Sequence, residues 1–190
     1  MNRFAATALA LAVAASLVSG CAAVAVTGVT TAALMASDRR TSGTYIEDET
    51  IEWKVVNRMR NDFGSEHINA TSFNRRVLLT GQAPTEDEKK RIESVVRRID
   101  SVRDVVNEMT VGSAVSMTTI GNDSLITSNV KARMVNNGKF STNHVKVLTE
   151  AGVVYLMGLV KPAEADAAVE IARTTSGVNR VVKVFEYLPS

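Results

Sequence analysis

From residue 48 onward, apolar side chains recur first with a helical period and then in alternation, and the same succession is written twice. Ile51, Val55 and Met59 fall every four residues, as do Ile126, Val130 and Met134, and each triplet predicts the buried stripe of an amphipathic helix. Asp48 and Asp123 (or Ser124) stand ahead of these stripes as expected N-caps, because an acceptor there satisfies free backbone donors. Alternating runs follow. Residues 68–73 turn at Asn74-Arg75 into residues 77–80, and residues 145–147 lead to a turn containing Gly152 and then to residues 153–159. A second helix comes next in each copy. Thr85 and Glu88 form a capping-box pattern ahead of the stripe Ile92, Val95, Val96 and Ile99, while Pro162 opens the counterpart and Gly177 is its expected C-cap. Final strands over residues 102–109 and 178–187 complete the order α-β-β-α-β twice.

The two copies align through fixed landmarks. Asp48-Glu49-Thr50-Ile51 meets Asp123-Ser124-Leu125-Ile126, His67 meets His144, and Leu78-Leu79-Thr80-Gly81 meets Tyr155-Leu156-Met157-Gly158. A repeat of about 75 residues suits a small domain and is too long for a solenoid unit. The expected fold class is α+β: two tandem domains, residues 47–113 and 122–190, each with two helices packed on a three-stranded mixed sheet. Gly81 and Gly158 share one strand-end position and read as structural, where a bulge or a close backbone approach excludes a side chain.

The first residues have a different character. Arg3 is the only charge before an apolar, alanine-rich run over residues 4–18, and Val18-Ser19-Gly20 puts small residues directly before Cys21. That pattern marks residues 1–20 as a secretory signal. Cys21 is the only cysteine, so no intramolecular disulfide exists to occupy it. An uncleaved membrane helix of roughly 20 residues is the competing reading of the uncharged stretch. Residues 22–35, rich in Ala, Val, Thr and Gly, favour a weakly structured tether instead, and residues 37–48 are polar and read as linker; the tether is drawn at 21–46.

The formal net charge of +2 gives no support to a nucleic-acid partner. No enzyme constellation stands out: two histidines occupy matched positions, and metal-ligand, nucleophile-elbow and phosphate-loop patterns are missing. The expectation is a non-enzyme without cofactor or metal, acting as a monomer. Charge is informative only locally. From Ser124 to Thr149 there is no acid, while Lys131, Arg133, Lys139 and Lys146 are basic; the matching stretch of the first copy holds Glu52, Asp62 and Glu66. A cationic helix beside apolar residues suits an anionic phospholipid surface, at about 1 kcal/mol per basic residue near it.

Val18-Ser19-Gly20-Cys21 resembles the lipobox of bacterial lipoproteins, which implies acylation of Cys21 with palmitate-type chains. Each repeat resembles the BON domain, with its Val-rich hairpin, strand-end glycine and closing Gly-Val-x-x-Val. Gly177-Val178-Asn179-Arg180-Val181 fits that closing segment, whereas Ser101-Val102-Arg103-Asp104-Val105 lacks the glycine. Lipobox, tether, Asp38-Arg39-Arg40-Thr41-Ser42-Gly43 and both repeats follow the order of the DolP-like family of dual-BON outer-membrane lipoproteins. That resemblance implies an outer-membrane anchor on the periplasmic side, and Ala22 after the cysteine, in place of the Asp associated with inner-membrane retention in enterobacterial lipoproteins, implies the same by resemblance to them. It also implies a role in envelope integrity at the division site, and anionic phospholipid contact through the opening helix of the second domain. Carried over, the contact residues are Asn122, Asp123, Ser124, Leu125, Ile126, Thr127, Val130, Lys131 and Arg133. Leu125 stands where the family has Trp, which replaces an interfacial indole by plain apolar area. Two alternatives stay open: that Ile126 and Val130 face the sheet while Lys131 and Arg133 are ordinary solvated charges, and that the protein is a scaffold for envelope-assembly or division proteins.

Overall fold

The computed structural model describes residues 38–64, 67–112 and 117–189, and Cys21 with its expected leader lies outside them. The first module comprises α1 (Ser42–Phe63), β1 (Ile68–Phe73), β2 (Arg76–Ala83), α2 (Glu86–Val96), β3 (Asp104–Asn107) and β4 (Thr110–Val111). The second comprises α3 (Met117–Val135), a 3-10 turn (Thr142–His144), β5 (Val145–Glu150), β6 (Val153–Val160), α4 (Pro162–Arg173) and β7 (Arg180–Tyr187). In each module a hairpin (β1–β2, β5–β6) is extended by a parallel third strand on the second hairpin strand, giving the mixed sheet. The third strand of the first module is broken. β3 pairs with Arg76–Leu79 and β4 with Gln82 and Ala83, and between them the Asn107 side chain takes the Met109 N–H.

Helical and alternating periods meet in the cores. Ile51, Val55 and Met59 of α1 and Ile92 and Val96 of α2 pack on Val77 and Leu79. Ile126, Val130 and Met134 of α3 and the alanines of α4 pack on Val154 and Leu156. Strand alternation sends the intervening side chains to the other face, and these form a third cluster, in which Phe73 and Leu78 of one sheet meet Tyr155, Met157 and Val184 of the other. The sheets therefore lie back to back with helices outside, in four layers. Each buried Val, Leu, Ile, Phe or Met of these clusters stabilises the body by roughly 1.5–3 kcal/mol relative to exposure, and each alanine by less. Burial in this seam pushes the Tyr155 phenol up to about 12.

Polar contacts bind the rim of the seam. Lys146 Nζ lies 2.9 Å from Glu52 Oε1, Asn69 donates to Glu150, Arg76 donates to the Phe185 carbonyl, and Asn74 and Arg103 both reach Glu186. Lys146, read from sequence as part of a lipid-attracting set, is thus paired with an acid of the first module. Its strand alternation points it into the seam, which a linear count of charge does not show.

Three local readings change. The segment before Asp48 is not linker, because α1 begins at Ser42 with Thr41 as N-cap, its Oγ1 accepting from Thr44 N at 3.1 Å. Neither Asp48 nor Asp123 is an N-cap: both sit inside their helices and accept backbone N–H bonds from the hairpin turn of their own module. The cap of α4 is Thr174, and Gly177, at φ 87°, belongs to the loop that leads to β7.

Candidate lipid-facing site

Each module has a helix aspartate that grips its hairpin turn. Both turns place two consecutive residues at positive φ, Asn74 and Arg75 in one, Ala151 and Gly152 in the other. This is the geometry of a two-residue turn that matches strand twist, and a non-glycine residue there is strained. Asp123 Oδ2 accepts from Ala151 N at 2.7 Å and Oδ1 from Gly152 N at 2.8 Å, so the buried carboxylate is satisfied and the turn is fixed against α3. Asp48 does the same for Asn74 N and Arg75 N, and also accepts from Ser72 Oγ and Arg40 Nη1.

That grip shapes the surface beside the first half of α3. A half-open groove of about 400 Å³ runs between α3, the β5–β6 turn and the α4–β7 loop. Asn122, Leu125 and Asn129 form its helix side, and Gly152, Gly177 and Asn179 form its loop side. Gly177 lets the Ile126 side chain seat close: a Cβ there would stand 3.1 Å from Ile126 Cδ1 and Cγ1. Apart from the engaged Asp123, the lining is uncharged, with amide and hydroxyl groups around apolar area. Such a surface offers hydrogen bonds to a polar headgroup and apolar contact to the chains beneath it.

The residues named from sequence divide by helix face. Asn122, Ser124, Leu125, Lys131 and Arg133 are exposed, and Leu125 keeps 65% of its accessible surface. Ile126 and Val130 are core, as one of the two sequence alternatives has it, because they continue the stripe that ends at Met134. Asp123 is buried on the turn, and Thr127, half-buried, bonds Thr149 Oγ1 at 2.7 Å. Thr127 and Val130 are therefore removed from the contact surface, while Asp123 and Ile126, though buried, still line the groove. Arg133 is exposed but engaged, donating to the Ile171 carbonyl and to the hydroxyls of Thr174 and Thr175, where it satisfies the end of α4. Lys131 is exposed on α3 and Lys139 on the loop that follows. Missed by the sequence reading are Thr119 and Asn129 of α3 and the residues of the facing wall, Ala151, Gly152, Ser176 and Asn179. The wall residues come from two turns distant in sequence; the Gly152 and Gly177 signals mark the turns but not their closeness to α3.

Gly81 and Gly158 meet the two histidine positions through the backbone. A Cβ on Gly81 would lie 2.0 Å from the His67 carbonyl oxygen, and one on Gly158 2.2 Å from that of His144. Among the described residues no group of three or more His, Cys, Asp or Glu could hold a metal ion. Among them, too, no helix is long and apolar enough to cross a membrane.

Fold and site together define a protein built from two copies of one α-β-β-α-β module, packed sheet to sheet, with a groove beside the opening helix of the second copy. The BON domain family matches residues 47–113 and 122–189, and the chain belongs to that family. It is 42% identical over 172 residues to the outer membrane lipoprotein DolP of Haemophilus influenzae, covering 89% of each chain. It is also similar to the 21 kDa hemolysin of Actinobacillus pleuropneumoniae, at 36% identity over 80% of this chain and 79% of that one. Osmotically-inducible protein Y of Escherichia coli shares 28% identity over 73% of this chain and 72% of its own length.

Proposed function

We propose that this chain is an acylated lipoprotein, held at the periplasmic face of the outer membrane through Cys21, whose second BON domain binds anionic phospholipid and thereby supports outer-membrane integrity. One observation carries the lipid reading: α3 exposes Leu125 beside the groove and Lys131 further along the same helix, while the only acid of that helix, Asp123, is buried against the turn. No exposed carboxylate of α3 opposes an anionic surface, and apolar area and a cation lie together on one element. The anchor draws on the Val18-Ser19-Gly20-Cys21 pattern and on the name of the relative that is 42% identical. A tethered module needs only weak contact of its own, because the anchor raises its effective concentration at the bilayer.

Residues 39–190 form one compact unit and suit an NMR titration with phosphatidylglycerol-containing micelles. Amide shifts are expected to cluster at Asn122, Leu125, Asn129, Gly152 and Asn179. Shifts confined to other surfaces would defeat the assignment to α3. A second reading, a scaffold for envelope-assembly or cell-division proteins, is favoured by a different observation: the first domain exposes Trp53 and Ile46 on α1.

A further inference from the structure

The groove beside α3 has a counterpart position on the first module, and the two copies furnish it with different chemistry. The backbone fixes the correspondence: Asn179 N donates to the Gly152 carbonyl at 2.9 Å, and Arg103 N donates to the Arg75 carbonyl at 2.8 Å. On the helix side, counting from the matched aspartates, Glu47 and Lys54 stand where the second copy has Asn122 and Asn129. All four positions of the first copy are thus charged, and three are engaged in ion pairs. Arg75 lies 3.8 Å from Glu47, and Arg103 pairs with Glu186. The same four positions of the second copy, Asn122, Asn129, Gly152 and Asn179, carry no charge.

Three amides therefore converge on one groove, from its helix side and its loop side. They are exposed, and among the described residues none has a side-chain hydrogen bond of its own. Asn179 is also held in place. A Cβ on Gly152 would stand 2.4 Å from Asn179 Nδ2, so the amide lies directly against the turn because that residue is glycine.

These groups decide what fits. An ammonium headgroup needs a free carboxylate, and the one acid of the lining, Asp123, has both oxygens occupied by the Ala151 and Gly152 N–H groups. A bare phosphate needs a cation, and among the described residues no Lys or Arg lines the groove. A hydroxyl both donates and accepts, as an amide does, and two neighbouring hydroxyls can bond amides on opposite walls. Exposed Leu125 leaves apolar area beside them for carbon.

We infer that the groove selects its lipid by hydroxyl groups and not by charge: it takes a polyol headgroup of the glycerol kind, carried on a phosphodiester, with Asn129 and Asn179 reading the hydroxyls from opposite walls. The cations of the helix then govern attraction, and the groove governs choice. This inference rests on the reading that α3 faces the bilayer.

The test uses residues 39–190, one compact unit with its own cores, so that the anchor adds nothing to binding. Phosphatidylcholine vesicles carry equal mole fractions of either phosphatidylglycerol or phosphatidylmethanol, two phosphodiesters of the same charge that differ in headgroup hydroxyls. Sedimentation is expected to show roughly fivefold tighter binding to the glycerol lipid, the worth of about one net hydrogen bond. Asn179→Ala and Asn129→Ala should each bring the ratio between the two lipids close to one. Gly152→Ala, which puts a methyl group where the Asn179 amide lies, should do the same, with circular dichroism showing that each variant is folded. Soluble glycerophosphoglycerol should compete weakly, because it brings no acyl surface to Leu125. Equal binding of the parent to both vesicles overturns the inference and leaves the lipid reading standing, whereas binding to neither overturns both. Competition by glycerophosphoglycerol at concentrations as low as those of the lipid would give the groove to a free polyol, and the headgroup assignment would fall.

Discussion

Arg39 and Glu164 form a two-pronged ion pair across the body, Nη1 to Oε2 at 2.6 Å and Nη2 to Oε1 at 2.8 Å, while Arg39 Nη1 also donates to the Leu159 carbonyl. The next residue faces the other way: Arg40 donates to the buried Asp48 and stacks 4.0 Å over the Phe73 ring. Consecutive arginines thus fasten the start of α1 to the second domain and to the first. The planar guanidinium suits both jobs, bidentate pairing and ring stacking, in a way an ammonium does not.

This pair makes stability depend on acid in a definite direction. The hydrogen bonds from Arg39 hold the Glu164 carboxyl at about 2, helped by the Lys161 N–H and the nearby His144 and opposed by burial. A carboxyl depressed on folding adds stability that is complete above the ordinary carboxylate range and is lost as pH falls toward about 2. Arg39→Ala should therefore cost about 1–3 kcal/mol in urea unfolding at pH 7, and much less at pH 3, where the parent has itself lost part of the term. Glu164→Gln should cost a similar amount, and the double variant little more than either alone. Equal losses at both pH values would show that the pair is not the origin.

The aspartate grip on the turns gives a second prediction. Asp123→Ala leaves the N–H groups of Ala151 and Gly152 without their acceptor and should cost about 2–3 kcal/mol. Ala151→Asn, which suits the left-handed backbone at φ 50°, should add up to about 1 kcal/mol in the same protein. Thermal unfolding of residues 39–190 reads both. The gain from Ala151→Asn should shrink once Asp123 is gone, since a loosened turn no longer imposes the strain.

The elements were legible because their periods are strong: four-residue recurrence at Ile51, Val55 and Met59, alternation at Val145 and Val147, and a Thr85 cap whose Oγ1 accepts from Glu88 N–H. What stayed hidden is tertiary. Asp123 has the composition of an N-cap, and only the fold shows that the amides it serves are some 28 residues away in sequence. Lys146 counts as a free cation along the chain and becomes the partner of Glu52 once the sheets stack. The second sheet face was equally silent, because Tyr155 and Met157 read as ordinary strand residues until another sheet is seen to cover them. At the site, Leu125 was found through family resemblance and the helix period, whereas the groove walls at Gly152 and Asn179 come from separate turns.

Gly158→Ala should be among the most damaging single-atom additions in the second domain. Its Cβ would fall 2.2 Å from the His144 carbonyl oxygen, which is backbone and cannot swing aside. Repacking β5 against β6 to make room should cost about 3 kcal/mol or more, and the same holds for Gly81→Ala, which adds strain at φ 100°. By contrast His144→Ala leaves that carbonyl in place and should cost far less. Chemical denaturation of the three variants separates a backbone approach from a side-chain role, and a large loss for His144→Ala with a small one for Gly158→Ala would reverse the assignment.

Leu125→Trp tests the membrane reading by gain. Leu125 is already exposed, so an indole there meets open space beside the groove, and neither the α3 stripe nor the Asp123 grip is disturbed. Indole prefers the headgroup zone more strongly than isobutyl does, and extra affinity of about 1 kcal/mol corresponds to roughly fivefold tighter binding to phosphatidylglycerol vesicles. Leu125→Ser should weaken binding by a comparable factor, and Lys131→Gln should flatten its dependence on salt, since a cation near an anionic surface acts through a screened field. The reciprocal substitution Ile126→Ser should instead unfold the domain, because that side chain fills the core beneath Gly177. Vesicle sedimentation at two salt concentrations, with circular dichroism as the folding control, distinguishes the two neighbours: Leu125 changes binding with the fold intact, and Ile126 changes the fold. If Leu125→Trp and Leu125→Ser sediment alike, α3 does not touch the bilayer through this residue.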